Sequence, residues 1–228
     1  MLSAIAIVPS TPVLVPELTG AAAAEVTDLR DAAFAAVGSL PQRWISVGVS
    51  TTDAVIGPDA VGTFAGYGVD VPVTLSPAAC GEAAELPLCA LITGWLREQV
   101  NPQARAEVRV YAADHGVDAA LARGRALRAE INEAADIIGV LIVADGAHTL
   151  TPSAPGGYEP DSIPVQQALD EALAGRDTAA LTRLPASIVG RVAYQVLAGV
   201  TEPAPRTAQE LYRGEPYGVG YFVGVWQP

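Results

Sequence analysis

The order of apolar and polar positions predicts buried strands that alternate with amphipathic helices. Unbroken apolar runs rich in β-branched residues are typical of strands buried on both faces of a sheet. The predicted strands are residues 2–8, 44–49, 71–75, 107–111, 137–144 and 216–226. Apolar residues at helical spacing, with charged residues between them, predict helices over residues 20–37, 82–100, 117–135, 161–174 and 185–199. This alternation indicates an α/β protein of three layers, α/β/α, around a predominantly parallel sheet.

Proline and glycine mark the connections between these elements. Pro12 and Pro16 predict extended or turn geometry for residues 10–20, which we therefore expect not to be helical. Residues 57–68 are rich in glycine and predict an irregular connection. Because no repeat, linker or change in composition divides the sequence, the prediction is one domain over residues 1–228.

Polar residues follow three of the predicted strands. They are Ser10, Thr11, Thr51, Thr52, Asp53, Asp145 and His148. Ligands of open α/β sheets bind in the crevice beyond the carboxyl ends of the strands, so we expect Ser10, Thr52 and His148 to line one cavity. His148 is the candidate general acid or base, with Asp145 as its neighbour. The alternative is a loop imidazole bonded to a nearby carbonyl, with hydroxyl groups that only cap strand ends.

Composition and charge exclude several classes of function. The chain has 25 acidic and 13 basic residues, a net charge of −12, and no basic cluster, so nucleic-acid binding is not expected. Every basic residue is arginine, which removes lysine Schiff-base chemistry. No apolar run approaches the roughly 20 residues of a membrane span. Cys80 and Cys89 have neither metal-ligand nor disulfide spacing, and the first residues lack a signal-peptide pattern, so we expect a cytoplasmic protein.

Three separated segments resemble one protein family. They are AIVPSTPVLVPELTG at residues 6–20, VLIVADGAHTLTPSAPGGYEPDS at 140–162 and EPYGVGYFVGVW at 215–226. In order and spacing these segments are similar to the LigB superfamily, which contains the class III extradiol ring-cleavage dioxygenases and the related Memo proteins. The resemblance covers essentially the whole chain and implies a LigB-like fold.

The resemblance also implies a metal site whose ligands are absent here. Active members of the family hold a non-haem Fe(II) between two histidines and a carboxylate, which leaves positions open for substrate and dioxygen. Ser10 or Thr11 stands at the first histidine position, and Thr51 or Thr52 at the second. His148 matches the family's acid–base histidine, and Glu215 is the nearest candidate for the carboxylate. We therefore expect no metal and no cofactor, with Fe(II) only if unusual ligands replace the histidines.

These residues are compatible with several functions. A divergent LigB-like protein could bind a small molecule or a partner in the crevice, or catalyse a metal-independent reaction. The alternatives are a dioxygenase with unusual ligands and a hydrolase that uses Ser10, His148 and Asp145. We expect Tyr158, Tyr217 and Glu215 to border the cavity, and an apolar tail or helix face to form a homodimer. The triplet at residues 114–116, which contains His115, is predicted to be a strand-to-helix turn outside the cavity.

Overall fold

A mixed sheet of seven strands forms the centre of the molecule. The computed structural model describes residues 1–202 and 204–228. The strands in chain order are β1 Leu2–Val8, β2 Arg43–Ser50, β3 Ala54–Ile56, β4 Val61–Thr63, β5 Pro72–Thr74, β6 Arg105–Ala112, β7 Ile138–Val143, β8 Thr207–Gly214 and β9 Tyr221–Gln227. The order across the large sheet is β3-β6-β2-β7-β1-β9-β8, and β4 pairs with β5 in a separate small sheet.

Four neighbouring strands of the large sheet are parallel. β6, β2, β7 and β1 run in one direction. β3 pairs antiparallel with β6 on one side, and on the other side β9 pairs antiparallel with both β1 and the edge strand β8. The prediction of a mostly parallel sheet flanked by helices in one α/β domain is therefore confirmed. All four parallel strands end at the same edge, which is where polar loop residues can converge.

Helices cover both faces of the sheet. They are α1 Pro16–Thr19, α2 Thr27–Val37, α3 Leu88–Val100, α4 Val117–Glu133, α5 Ser162–Gly175, α6 Thr178–Leu181 and α7 Arg191–Val200. The strands alternate between two cores, because successive side chains point to opposite faces. Ala4 and Ala6 of β1 pack in the core with α2 and α3, whereas Ile5 and Ile7 pack in the core with α4, α5 and α7.

The strand predictions for β1, β2 and β7 are confirmed nearly to the residue. β7 is buried along its whole length, as its unbroken apolar sequence indicates. β3 and β8 were not predicted. β3 has only three residues, and β8 has the polar sequence TAQELYRG at the edge of the sheet, so neither has the pattern of a buried strand. The glycine-rich residues 57–68 were predicted to be irregular, but they contain β4.

The prediction that residues 10–20 are not helical is wrong. Pro12 begins a short 3-10 helix, Pro12–Leu14, and Pro16 begins α1. Proline is favourable at the first helical position, because its fixed φ suits the helix and its missing N–H would have no partner there. Prolines in this segment therefore start two short helices.

Three predicted helices begin later than expected. Residues 20–37 form a 3-10 helix, Gly20–Val26, followed by α2. The helix predicted from residue 82 begins at Leu88, directly after Pro87, because a proline disfavours helical backbone in the residue before it. The helix predicted from residue 185 begins at Arg191.

The apolar tail is an internal strand. β9 lies between β1 and β8, and Phe222 and Trp226 are buried. The tail was predicted to be a strand, and it was one of two surfaces considered for a homodimer, the other being a helix face; the sheet already covers the tail. The homodimer stays a prediction without this surface.

The cysteines and the helices add two further findings. Cys80 is exposed and Cys89 buried, and both are free thiols; burial raises the pKa of Cys89 to about 12. Over residues 1–202 and 204–228, no helix has both the length and the apolar character needed to cross a membrane.

Candidate functional site

Two adjoining cavities lie at the carboxyl edge of the parallel strands. Each has a volume of about 570 Å³, within the range of small-molecule sites. Four residues line both cavities: Ser10, Leu88, Asp145 and Val189. Since the cavities share this wall, we call them together the cleft. The first cavity extends towards the ends of β2 and β6, and the second extends towards β9.

Asp145 lies on the shared wall, two residues after β7. Its Oδ1 accepts a hydrogen bond of 2.8 Å from the backbone N–H of Ser10 in the loop after β1. Burial raises the pKa of Asp145 to about 7, and the bond from Ser10 opposes this only in part. No arginine forms an ion pair with Asp145 in the described parts of the chain. The cleft thus contains a desolvated carboxyl group that titrates near neutral pH.

The backbone around Asp145 is fixed by close packing. The N–H of Gly190 donates a 2.8 Å hydrogen bond to the carbonyl of Asp145. A Cβ atom at Gly190 would lie only 2.5 Å from the Cβ of Ala144 and 2.7 Å from the carbonyl oxygen of Asp145. Only glycine allows this approach of the segment before α7 to the end of β7.

The buried side-chain amide of Gln166 in α5 supports the turn from Asp145 to His148. The side-chain oxygen of Gln166 accepts a 2.8 Å bond from the N–H of Ala147, and its nitrogen donates a 2.8 Å bond to Asp170. Burial raises the pKa of Asp170 to about 6. Gly146 leaves the space that the Gln166 amide fills, because a Cβ there would overlap the amide. This network holds the Asp145–His148 turn on α5.

His148 lines the second cavity beneath a fold of its own loop. The N–H of Gly156 donates a 3.0 Å bond to the carbonyl of His148, and a Cβ at Gly156 would lie 2.6 Å from its Nε2. Nδ1 is buried and has no hydrogen-bond partner in the described residues. Neither Asp145 nor the Ser10 hydroxyl is hydrogen-bonded to the imidazole there. The three side chains that a hydrolase would use are therefore not joined into a relay.

Three phenols border the second cavity: Tyr67, Tyr217 and Tyr221. The hydroxyl of Tyr221 lies 2.9 Å from the Thr11 hydroxyl, and burial raises the pKa of Tyr221. Tyr217 donates a 2.8 Å hydrogen bond to Glu25. The remaining wall is mostly apolar, so this cavity offers aromatic surface with few polar groups.

Six of the predicted residues line the cleft. Thr51 lies in the first cavity, Thr11, His148 and Tyr217 lie in the second, and Ser10 and Asp145 lie in both. Ser10 and His148 therefore share a cavity, whereas the prediction placed Thr52 in it as well. Thr51 lines the neighbouring cavity, whereas Thr52 lines neither.

Thr52, Asp53, Tyr158 and Glu215 are not among the residues that line the two cavities. Tyr158 and Glu215 are exposed on the surface. Asp53 accepts hydrogen bonds from the Ala112 N–H at 2.8 Å and from His115 at 2.7 Å. These bonds, that from Ala112 above all, lower the pKa of Asp53. The Asp53 carboxylate, which was predicted to contact a substrate, therefore forms hydrogen bonds within the turn after β6 instead.

Sequence reasoning missed the apolar wall of the cleft. Leu88 and Val189 were assigned to predicted helices, but they line both cavities. Val189 is 46% exposed and belongs to the irregular segment before α7. Pro87 indicated that a helix could begin at Leu88. It did not indicate that Leu88 lines a cavity, since an apolar residue in a helix is normally part of the core.

A cavity at the opposite edge of the sheet is larger but has less suitable chemistry. It has a volume of about 670 Å³. Several of its charged groups are already paired: Arg43 with Asp136, and Glu107 and Glu130 with Arg109. It also lies at the amino ends of the strands, away from the crevice where α/β sheets bind ligands.

The donor atoms in the described residues do not form a metal-binding group. Within residues 1–202 and 204–228, no three side chains of histidine, cysteine, aspartate or glutamate come together around a point. At the strand ends where the resemblance implies two histidines, the side chains are hydroxyls. Thr11 there is already bonded to Tyr221.

Comparison with known proteins supports the fold alone. No family model matches the chain, and no curated protein matches it. The chain is similar in structure to the uncharacterized protein JW3007 from Escherichia coli K12, whose crystal structure superposes with a TM-score of 0.61. The match covers 99% of this chain and 100% of that chain, at 12% sequence identity. At this identity the similarity shows a shared α/β fold and carries no information on activity.

Proposed function

We propose that this chain is a LigB-like protein that binds a small organic molecule in the cleft and does so without iron. The observation that carries the proposal is the position of Asp145, a desolvated carboxyl group on the wall shared by two cavities. A mostly apolar cleft with a few convergent polar groups and a perturbed pKa is typical of a binding or active site. The LigB-like assignment rests on the three sequence segments.

The side chains present do not fit the Fe(II) of the extradiol dioxygenases. Hydroxyl groups of serine and threonine bind iron far more weakly than neutral imidazole does. Ser10, Thr11 and Thr51 supply only such hydroxyls at the strand ends. Iron therefore has no part in the proposed function.

A second candidate function is metal-independent proton transfer by Asp145. A general acid or base is most effective when its pKa lies near the working pH, and the pKa of Asp145 is about 7. The sequence suggested this role for the neighbouring His148, which lines the second cavity together with Asp145. Both candidate functions require a ligand in the cleft, so the same first experiment tests both.

Filling the cleft should abolish ligand binding. Val189→Trp places an indole at a residue that lines both cavities, and we expect it to remove the stabilisation that a ligand gives to the wild type. A ligand at a hundred times its Kd stabilises the folded state by about 2.7 kcal/mol. A thermal-shift screen of neutral, cationic and anionic metabolites on the wild type and the variant would measure the effect.

Val55→Trp is the matched control for this experiment. Val55 is 63% exposed on the edge strand β3 and lines neither cavity of the cleft, so this variant should keep the ligand-induced stabilisation. Stabilisation that survives Val189→Trp would place the binding site elsewhere. A screen that stabilises no form of the protein would contradict the proposal as well.

The two histidines should differ in their effect on binding. His148 lines the second cavity, so His148→Ala should remove the ligand-induced rise in Tm. His115 is bonded to Asp53 in the turn after β6 and lines neither cavity, so His115→Ala should change the ligand Kd by less than about twofold. Isothermal titration of both variants with a ligand from the screen would check this. Equal losses in the two variants would show that the site extends over the β6 turn.

A further inference from the structure

The acidic groups that line the cleft are not balanced by arginine or lysine. Asp114 and Asp145 line it, and no arginine is among the lining residues of either cavity. The chain has no lysine, and its net charge is −12. A ligand carboxylate or phosphate would therefore meet neither arginine nor lysine there, with His148 as the one basic side chain on the wall, and would enter at a considerable desolvation cost.

Within the described residues, the Asp145 carboxyl group has no partner of opposite charge. Its one hydrogen bond among the described residues comes from the Ser10 N–H, and it faces the cleft from both sides of the shared wall. A carboxylate in such surroundings gains most from a ligand that brings a positive charge and N–H donors.

The remaining surface suits the body of such a ligand. Val189 and Leu88 offer apolar surface at the shared wall, and the rings of Tyr67 and Tyr217 border the second cavity. Phenol rings attract cations placed over their faces, in addition to packing against apolar groups.

From this combination we infer that the cleft binds an organic cation with an apolar or aromatic body, and that its protonated nitrogen pairs with the Asp145 carboxylate. This inference rests on the proposed function, because it names the ligand class of the same site. It predicts that amines bind better than neutral or anionic molecules of the same shape.

Three matched probes test the charge preference: phenethylamine, phenethyl alcohol and phenylacetate. At pH 8 we expect the amine to bind at least about tenfold more tightly than the alcohol, because a charge-assisted hydrogen bond contributes a free energy of this size. We expect phenylacetate to bind most weakly. Asp145→Asn should remove the advantage of the amine and leave the alcohol's Kd unchanged. Titrations followed by protein NMR would give all three constants.

The preference for the amine should also depend on pH. Primary aliphatic amines stay protonated up to about pH 10, whereas Asp145 loses its proton near pH 7, so amine binding should strengthen as the pH rises from 6 to 8. The other titratable groups around the carboxyl are Tyr194, Tyr221, His148 and Asp114. Burial raises the pKa of both tyrosines, which remain neutral in this range. We expect the pH dependence to disappear in Asp145→Asn, because a pH dependence caused by another group would remain in that variant.

The outcomes separate this inference from the proposed function. If the amine and the alcohol bind equally well and both lose binding in Val189→Trp, the cation preference is overturned, but the cleft is still the binding site. An amine preference that survives Asp145→Asn, or that disappears in Asp114→Asn, would also overturn it. A failure of all three probes to bind would overturn it too, and the broader screen with Val189→Trp would still decide the proposed function.

Discussion

Asp145→Asn is expected to stabilise the protein by about 4 kcal/mol at pH 8 and to have almost no effect at pH 4. The ordinary pKa of this carboxyl is 3.8, and burial raises it to about 7 in the folded protein. Each tenfold change in proton affinity is worth about 1.4 kcal/mol, which gives a cost of the order of 4 kcal/mol for the ionised group. Asparagine is never ionised and keeps an oxygen that accepts the N–H of Ser10.

The direction in which stability changes with pH depends on whether the folded or the unfolded protein holds the proton. Between about pH 4 and pH 7 the folded protein keeps a proton on Asp145 that the unfolded chain has already lost. Stability therefore falls as the pH rises through this window and then levels off above pH 7. The same dependence is absent from the asparagine variant, so the difference between the two proteins grows with pH.

Urea unfolding of both proteins at several pH values would measure this difference. Asp114→Asn is the control. Because Asp114 is exposed, this variant should have the same unfolding free energy as the wild type at every pH. A difference between wild type and Asp145→Asn that is constant with pH would mean that the pKa of Asp145 is not raised. A stabilising change that also removes amine binding would be a trade of function against stability.

Gly124→Ala should destabilise the protein by about 3 kcal/mol or more, since overpacking with no room to relax has costs of this order. Gly124 lies in α4 where that helix crosses α7. A Cβ there would overlap the carbonyl oxygen of Val196 and lie 2.8 Å from the Cα of Gly199. These are backbone atoms of α7, so relief requires the two helices to separate. The gain of about 1 kcal/mol in helix propensity is too small to offset this.

Gly175→Ala is the matched control for this substitution. Gly175 is the last residue of α5, and a Cβ there would meet no atom within 4 Å. We expect it to be neutral or to stabilise the protein by up to about 1 kcal/mol. Thermal unfolding of the two variants would compare them directly. A Gly124→Ala protein as stable as the wild type would show that α4 and α7 do not pack through their glycines.

Part of the candidate site could be predicted because parallel strands bring their carboxyl ends to one edge. The sequence identifies β1, β2 and β7 by their apolar runs, so the loops after them were expected to bring Ser10, Thr52 and His148 into one cavity. Ser10 and His148 do share a cavity of the cleft, whereas Thr52 lines neither cavity. The residues Thr52 and Asp53 lie outside the cleft although they are neighbours of Thr51. Which side of a turn faces a cavity depends on backbone geometry that the strand pattern does not determine.

The sequence by itself determined the α/β class, the main strands and the strand-end loops, because apolar periodicity reflects burial directly. It also determined that the cleft has no lysine. Only the tertiary structure decided the protonation of Asp145, the place of Val189 and the support from Gln166. These depend on desolvation and on contacts between residues far apart in the chain. The sequence shows an aspartate in the same way whether it lies in water or in a cleft, whereas the pKa of its carboxyl group depends on the surroundings.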